Sequence, residues 1–383
     1  MSLRRLPRSM EYQYYEFQAI DHRLTKAEQD EIKKLSSRVA PTAFRAVFTY
    51  SHGDFRGDPL TVLQKYFDAL LYMANWGSYQ LAFRFPKSAF NPQALEPYCD
   101  QESVEVATVG QYLILNIAIN EEEGGGWIEE ENCWLTNLLP LRQAILQGDY
   151  RVLYLTWLKV SAIASEAGYL ETDPVEPPVP PNLQTLDPTL QSFVEWVNLD
   201  PDLVTAAGQA SLLQEIPPEP FQDWIEALSE SEKNDLLLEF ITNESTSSTQ
   251  LQARLRQKFA QSSPDFSTTI RGDRRQFSQI QARATEICFA RKAQEQAEAK
   301  AKRQQYLKSL KPREAKLWDT IHELIARKQA SSYDQAVQHL IDLRDLAELE
   351  GNTKLFQTRL WQIENNHANL PGLLRRMREA KLI

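Results

Sequence analysis

Near residue 182 the chain changes character, and that change constrains the fold more than any single motif. Before it the sequence is dense in aromatic residues and reads as strands mixed with helices. After it the pattern is helical almost throughout. The join, TDPVEPPVPPNLQTLDP, carries six prolines between Asp173 and Pro188. Proline fixes φ and lacks an amide donor, so such a run favours an extended, semi-rigid spacer. The expected layout is an α+β domain over 11–171, in which a mixed sheet packs with helices on one face. A Pro-rich linker follows over 172–188, then an acidic helical segment over 189–265, then a basic long helix and a small helical bundle over 266–383. Residues 1–10 precede the patterned sequence. Either they form a disordered arm or Met10 is the true start.

Local patterns set the element types. EYQYYEFQAI (11–20) and TAFRAVFTYS (42–51) alternate as strands do. Thr25 and Glu28 form a Thr-x-x-Glu capping box that opens a helix. Asp58 before Pro59 is a helix start, and Leu60, Leu63, Phe67, Leu70, Leu71 and Ala74 fall on one stripe, which predicts a helix over 60–76 ended by Gly77. SYQLAFRFP reads as a third strand, and VEVATV with QYLILNIAI as a hairpin turned at Gly110. Two helices close this half. Beyond the prolines, short amphipathic segments lead to a long helix from about Gly272, whose stretch KAQEQAEAKAKRQQ lacks an apolar stripe and reads as a solvated helix or coiled-coil arm. Pro312 ends or kinks that helix. In the tail, Ser332-x-x-Gln335 is expected to cap a helix that Gly351 closes, and Pro371 opens a last short one.

Charge is uneven. The chain has 42 Lys+Arg against 52 Asp+Glu; residues 183–265 hold 4 against 14, and residues 266–383 hold 22 against 14. The basic end could meet nucleic acid or dock on an acidic surface. No apolar run approaches the ~18 residues of a membrane span. Cys99, Cys133 and Cys288 are far apart and odd in number, which supports neither a zinc site nor a disulfide framework and points to reduced thiols in a cytoplasm.

Reactive constellations are sparse. His52, Asp54, Arg56 and Asp58 share one loop between a strand and a helix, where His52 oriented by Asp54 is a conceivable general base. Asp58 and the glycines already have capping and turning tasks there, so the structural reading stands ahead. Glu121–Glu123 and Glu129–Glu131 flank GGGW; oxygen-rich clusters can hold divalent cations, but consecutive residues seldom converge on one ion. Trp127 in that loop is a candidate protein anchor. Arg274, Arg275, Arg291, Lys292, Lys300, Lys302 and Arg303 along the long helix, with Arg375, Arg376 and Arg378 in the tail, are the candidate phosphate contacts. Interleaved glutamates argue for an ordinary charged helix surface. No cofactor or metal is expected.

MEYQYYEFQAID with L-T-x-x-E, GDFRGDP, YFDALLYMANWG and the PPVPP run, together with the tail SYDQAVQHLIDLRDLAE and P-x-LLRRMR, resemble a family of bacterial, cyanobacterial-looking proteins without an assigned activity. The resemblance implies no functional residue. It carries an association with SWIM zinc-finger and helicase-type neighbours, a nucleic-acid context, although this chain lacks the SWIM Cys/His pattern. The expectation is a non-enzymatic interaction or adaptor protein with protein partners. The alternatives are a nucleic-acid-associated factor using the basic helices, or an enzyme with its site at the 52–58 loop.

Overall fold

The computed structural model describes residues 11–51, 53–88, 92–121, 134–169, 172–215, 220–242 and 274–383, with 251, 255, 258 and 259. His52, Trp127, Cys133 and the acidic triplets beyond Glu121 lie outside the described residues, as do residues 1–10. The chain divides into two compact units, Met1–Ile287 and Cys288–Ile383.

The first unit is built on six antiparallel strands: β1 Gln13–Gln18, β2 Arg45–Tyr50, β3 Ala69–Ala74, β4 Ser78–Pro86, β5 Val104–Val109 and β6 Tyr112–Asn120. Their order is β2-β1-β3-β4-β6-β5. The expected hairpin is present, with Val109 opposite Tyr112 and Gly110 in the left-handed region that its two-residue turn requires. Helix α1 (Lys26–Lys33) starts at the expected reciprocal cap, in which Thr25 accepts from the Glu28 amide and Glu28 accepts from the Thr25 amide.

The stretch predicted as one helix over 60–76 splits. Helix α2 (Pro59–Tyr66), capped by Asp58, stops at Phe67 in an extended conformation, and 69–74 becomes β3. β3 lies inside the sheet, between β1 and β4. Ala69, Leu71 and Met73 join one core, and Leu70 joins the opposite one. A strand buried on both faces is continuously apolar, and periodicity alone does not separate it from a buried helix. Gly77 belongs to the turn between β3 and β4.

Helices therefore cover both faces of the sheet, not one as expected. On one side, Phe17, Phe48, Leu70, Ala82 and Ile114 meet Ile32 of α1 and Val62 and Leu63 of α2. On the other, Leu71, Phe83, Leu115 and Ile117 meet α3 (Trp134–Leu138), α4 (Pro140–Leu146), α5 (Arg151–Glu166), α6 (Pro188–Trp196) and α7 (Pro201–Gly208). Alternating strand residues feed these two cores. Helices α8 (Phe221–Glu226) and α9 (Glu230–Thr242) follow, with the Ser229–Glu232 capping box formed at the start of α9.

The proline segment differs from the expected linker: it is packed into this first unit. Val175 bridges to Gln276, Tyr98 donates to the Pro178 carbonyl, and Glu176 is 2% exposed. Glu176 accepts from the Tyr154 hydroxyl and from Arg275 Nε at 2.8 Å. Burial, with Glu176 next to it, pushes the Tyr154 hydroxyl pKa well up.

Helix α10 (Phe277–Leu310) is 34 residues long, and the division between the units falls within it. Its residues 291–302 are exposed on every side, as the absent apolar stripe predicts. It stops before Pro312, which sits in a short 3-10 turn.

The second unit is the expected helical bundle: α11 (Glu314–Ala326), α12 (Ala330–Glu350), α13 (Thr353–Asn366) and α14 (Pro371–Glu379). Helix α12 packs against the other three around Ile321, Ile325, Ala336, Leu340, Ile363 and Leu373. Gly351 closes α12 in a left-handed conformation, and Pro371 opens α14. The Ser332 cap does not form. Helix α12 begins at Ala330, directly after Gln329, and Ser332 is buried within its first turn. Among the described residues, no helix is long and apolar enough to cross a membrane.

Candidate functional site

In the loop after β2, Asp54 and Asp58 both accept hydrogen bonds. Asp58 accepts from the Leu60 and Thr61 amides as the α2 cap. Asp54 accepts from Gln13 Nε2, whose own Oε1 accepts from the Tyr15 and Tyr72 hydroxyls. Phe55 packs against the rings of Tyr15, Phe17 and Phe48, tilted to the first two and edge-on to the third. Burial first, then Tyr72 and Asp54, raises the Tyr15 hydroxyl pKa out of reach of neutral pH. Asp54, Arg56 and Asp58 are all exposed. The loop is fastened to the sheet through Gln13 and Phe55, and its polar ends face solvent.

The candidate phosphate contacts fall into two sets. Arg275 is held by Glu176 and donates to the Ala206 and Ala207 carbonyls. Arg303 lies 2.7 Å from both Asp342 and Asp345, and Tyr306 donates to Asp342. Asp345 is held below the usual carboxylate range: burial opposes this, but the hydrogen bonds from Arg303 and Arg344 outweigh it. Arg291 pairs with Glu295, Arg375 faces Glu379, and Arg376 pairs with Asp334. Arg274, Lys292, Lys300, Lys302 and Arg378 are exposed.

A different surface stands out, and sequence reasoning did not single it out. Helices α6 and α7 border an open groove of about 710 Å³ lined by Leu183, Leu186, Val194, Pro201 and Val204, with Gln184, Gln191, Glu195 and Gln209 at its rim. Asp187 caps α6 and Asp200 caps α7, which fixes both walls. Next to it, Leu212 and Leu213 are 71% and 70% exposed. They are held there by a hydrogen-bond clamp. Asn182, left-handed at φ 62°, donates its amide to the Leu212 carbonyl at 2.9 Å. Its side chain donates to the Gln214 carbonyl and accepts from the Gln214 amide, each at 2.8 Å. Ser211 completes the clamp by donating to the Pro180 carbonyl and accepting from the Leu183 amide. Asn is among the residues that tolerate this backbone region and can bond locally through its side chain. The signal available in the sequence was the exposed pair itself: two leucines followed by Gln-Glu, with Asn182 thirty residues upstream.

Comparison with protein-family models, with curated proteins and with solved structures gave no match.

Proposed function

We propose that this chain is a non-enzymatic interaction protein that presents docking surfaces to other proteins. The observation that supports the reading is the clamped leucine pair beside an apolar groove. Large apolar side chains are ordinarily withdrawn from water where the backbone leaves them free to move. Here five hydrogen bonds made by Asn182 and Ser211 tie residues 211–214 to 180–183, and Leu212 and Leu213 are exposed. Contiguous exposed apolar surface beside a groove is the usual mark of a recognition site.

A nucleic-acid role through the basic helices is the second reading, favoured by the exposed Lys292, Lys300 and Lys302 on α10. It ranks behind because Arg275, Arg291, Arg303, Arg375 and Arg376 already face carboxylates. Affinity purification of the full chain, with and without nuclease, separates the two. Protein partners that survive nuclease support the first reading, and partners lost on nuclease treatment support the second. Capture of nothing above a control bait would count against both.

A further inference from the structure

We infer that the α6–α7 groove, with Leu212 and Leu213, receives a cationic amphipathic α-helix of a partner protein. The inference rests on the interaction reading above and adds the partner's chemistry. The groove floor is aliphatic and its volume falls within the range of formed binding sites. A helix with apolar residues at i, i+3 or i+4 and i+7 is a common occupant of such a groove.

Most of the charge near the groove comes from the surrounding segment, and Arg283, which donates to Gln209 at the rim, is itself paired with Glu286. From Leu183 to Glu215 that segment contains Asp187, Glu195, Asp200, Asp202 and Glu215 and no Lys or Arg. Asp187 is paired with Arg151, and Asp202 is buried. Glu195, Asp200 and Glu215 are exposed. A cationic occupant is drawn to these carboxylates, and an anionic one is repelled. A second copy of this chain is a poorer occupant. Its own basic amphipathic helix, α14, has Leu373 and Met377 buried in the bundle, so that apolar stripe is already used.

Fluorescence anisotropy tests this with the full chain and a labelled synthetic Leu/Lys peptide of about five turns, roughly 18 residues, carrying one leucine stripe. The controls are a scrambled peptide of equal composition and a Leu/Glu peptide with the same stripe. The striped Leu/Lys peptide should bind, and each control should bind at least about tenfold more weakly. Leu212→Ser with Leu213→Ser should weaken binding of the striped peptide about a hundredfold, because burying each leucine is worth about the free energy of one decade in affinity. As both side chains are exposed, the double variant should keep the wild-type circular dichroism and melting point. Glu195→Lys, also exposed, is the independent variant and should weaken binding several-fold. Three results would overturn the inference: equal binding of the scrambled peptide, equal binding of the Leu/Glu peptide, or indifference to both variants. Sedimentation that finds a wild-type dimer abolished by the double variant would make a second copy the occupant and overturn it as well. If the full chain captures nuclease-resistant partners and the double variant captures them undiminished, this groove is excluded while the interaction reading stands.

Discussion

In the unit ending at Ile287, charged side chains are buried and their partners are far away in sequence. Asp68 meets Arg84, Asp21 meets Arg142 across 121 residues, and Glu176 meets Arg275 across 99. In the bundle after Cys288, burial is carried by apolar stripes at helical spacing, and charge stays at the surface except where Arg303 reaches Asp342. The difference teaches where each unit is fragile. A buried ion pair adds little over an apolar pair of the same shape, but losing one partner strands a charge in low dielectric. An apolar stripe fails by degrees, through the cavity each truncation leaves.

The sharpest way to break the contrast is Arg84→Ala. Arg84 is 3% exposed, donates twice to Asp68 and donates to the Gln64 carbonyl. Its loss should destabilise the first unit by about 3–5 kcal/mol. Calorimetry of the full chain with hydrogen exchange resolved by peptide should place that loss in β3 and β4 and leave α12 protected. Loss of protection in α12 alone would contradict the contrast. Leu340→Ala, at a fully buried position of the bundle, is the counterpart. It should lower stability by about 2–4 kcal/mol and be seen in α11 and α12 with β3 and β4 unchanged.

Acid titration comes next in size. Burial alone would raise the Asp68 pKa, but Arg84 and Arg142 together hold it below the ordinary value. The unfolded chain therefore takes up this proton first, and the stabilisation is complete above the unfolded pKa of about 3.9. It is lost as pH falls below that value and through the folded one. Melting temperature measured from neutral pH down to about pH 2 should show this loss in the first unit, and Arg84→Ala should blunt it. A profile unchanged by the substitution would remove Asp68 as its source. The smallest effect is expected of Thr25→Ala, which removes one side of the α1 capping box. It should cost about 1 kcal/mol, read as faster exchange in α1 alone.

Legibility followed the range of the interactions. The Thr25–Glu28 box, the Gly110 hairpin, the Gly351 stop and the Pro371 start all involve neighbours in sequence, and each was readable. What escaped was set by distant partners. The proline segment looked like a spacer because nothing within it announces that Glu176 will be buried by Tyr154 and Arg275. In the loop at 52–58 the Asp58 cap was readable, being local, while the bond from Gln13 to Asp54 spans 41 residues and was not. The groove was invisible because its walls come from α6 and α7 while the exposed leucines depend on Asn182. The Ser332 cap failed because α12 starts at Ala330, one residue beyond Gln329, and the hydroxyl was already inside the helix.

The central strand β3 has a consequence for how the chain folds. Its sequence, with α2 before it, favours a continuous helix on local grounds, and only pairing with β1 and β4 overrules that preference. The β1 partner lies about fifty residues upstream, so a non-native helix can form in microseconds, well before the sheet closes. Refolding must then unwind it, a local conflict of the kind that roughens an energy landscape. A peptide of residues 59–76 should be helical in trifluoroethanol by circular dichroism, although 69–74 is a strand in the folded protein.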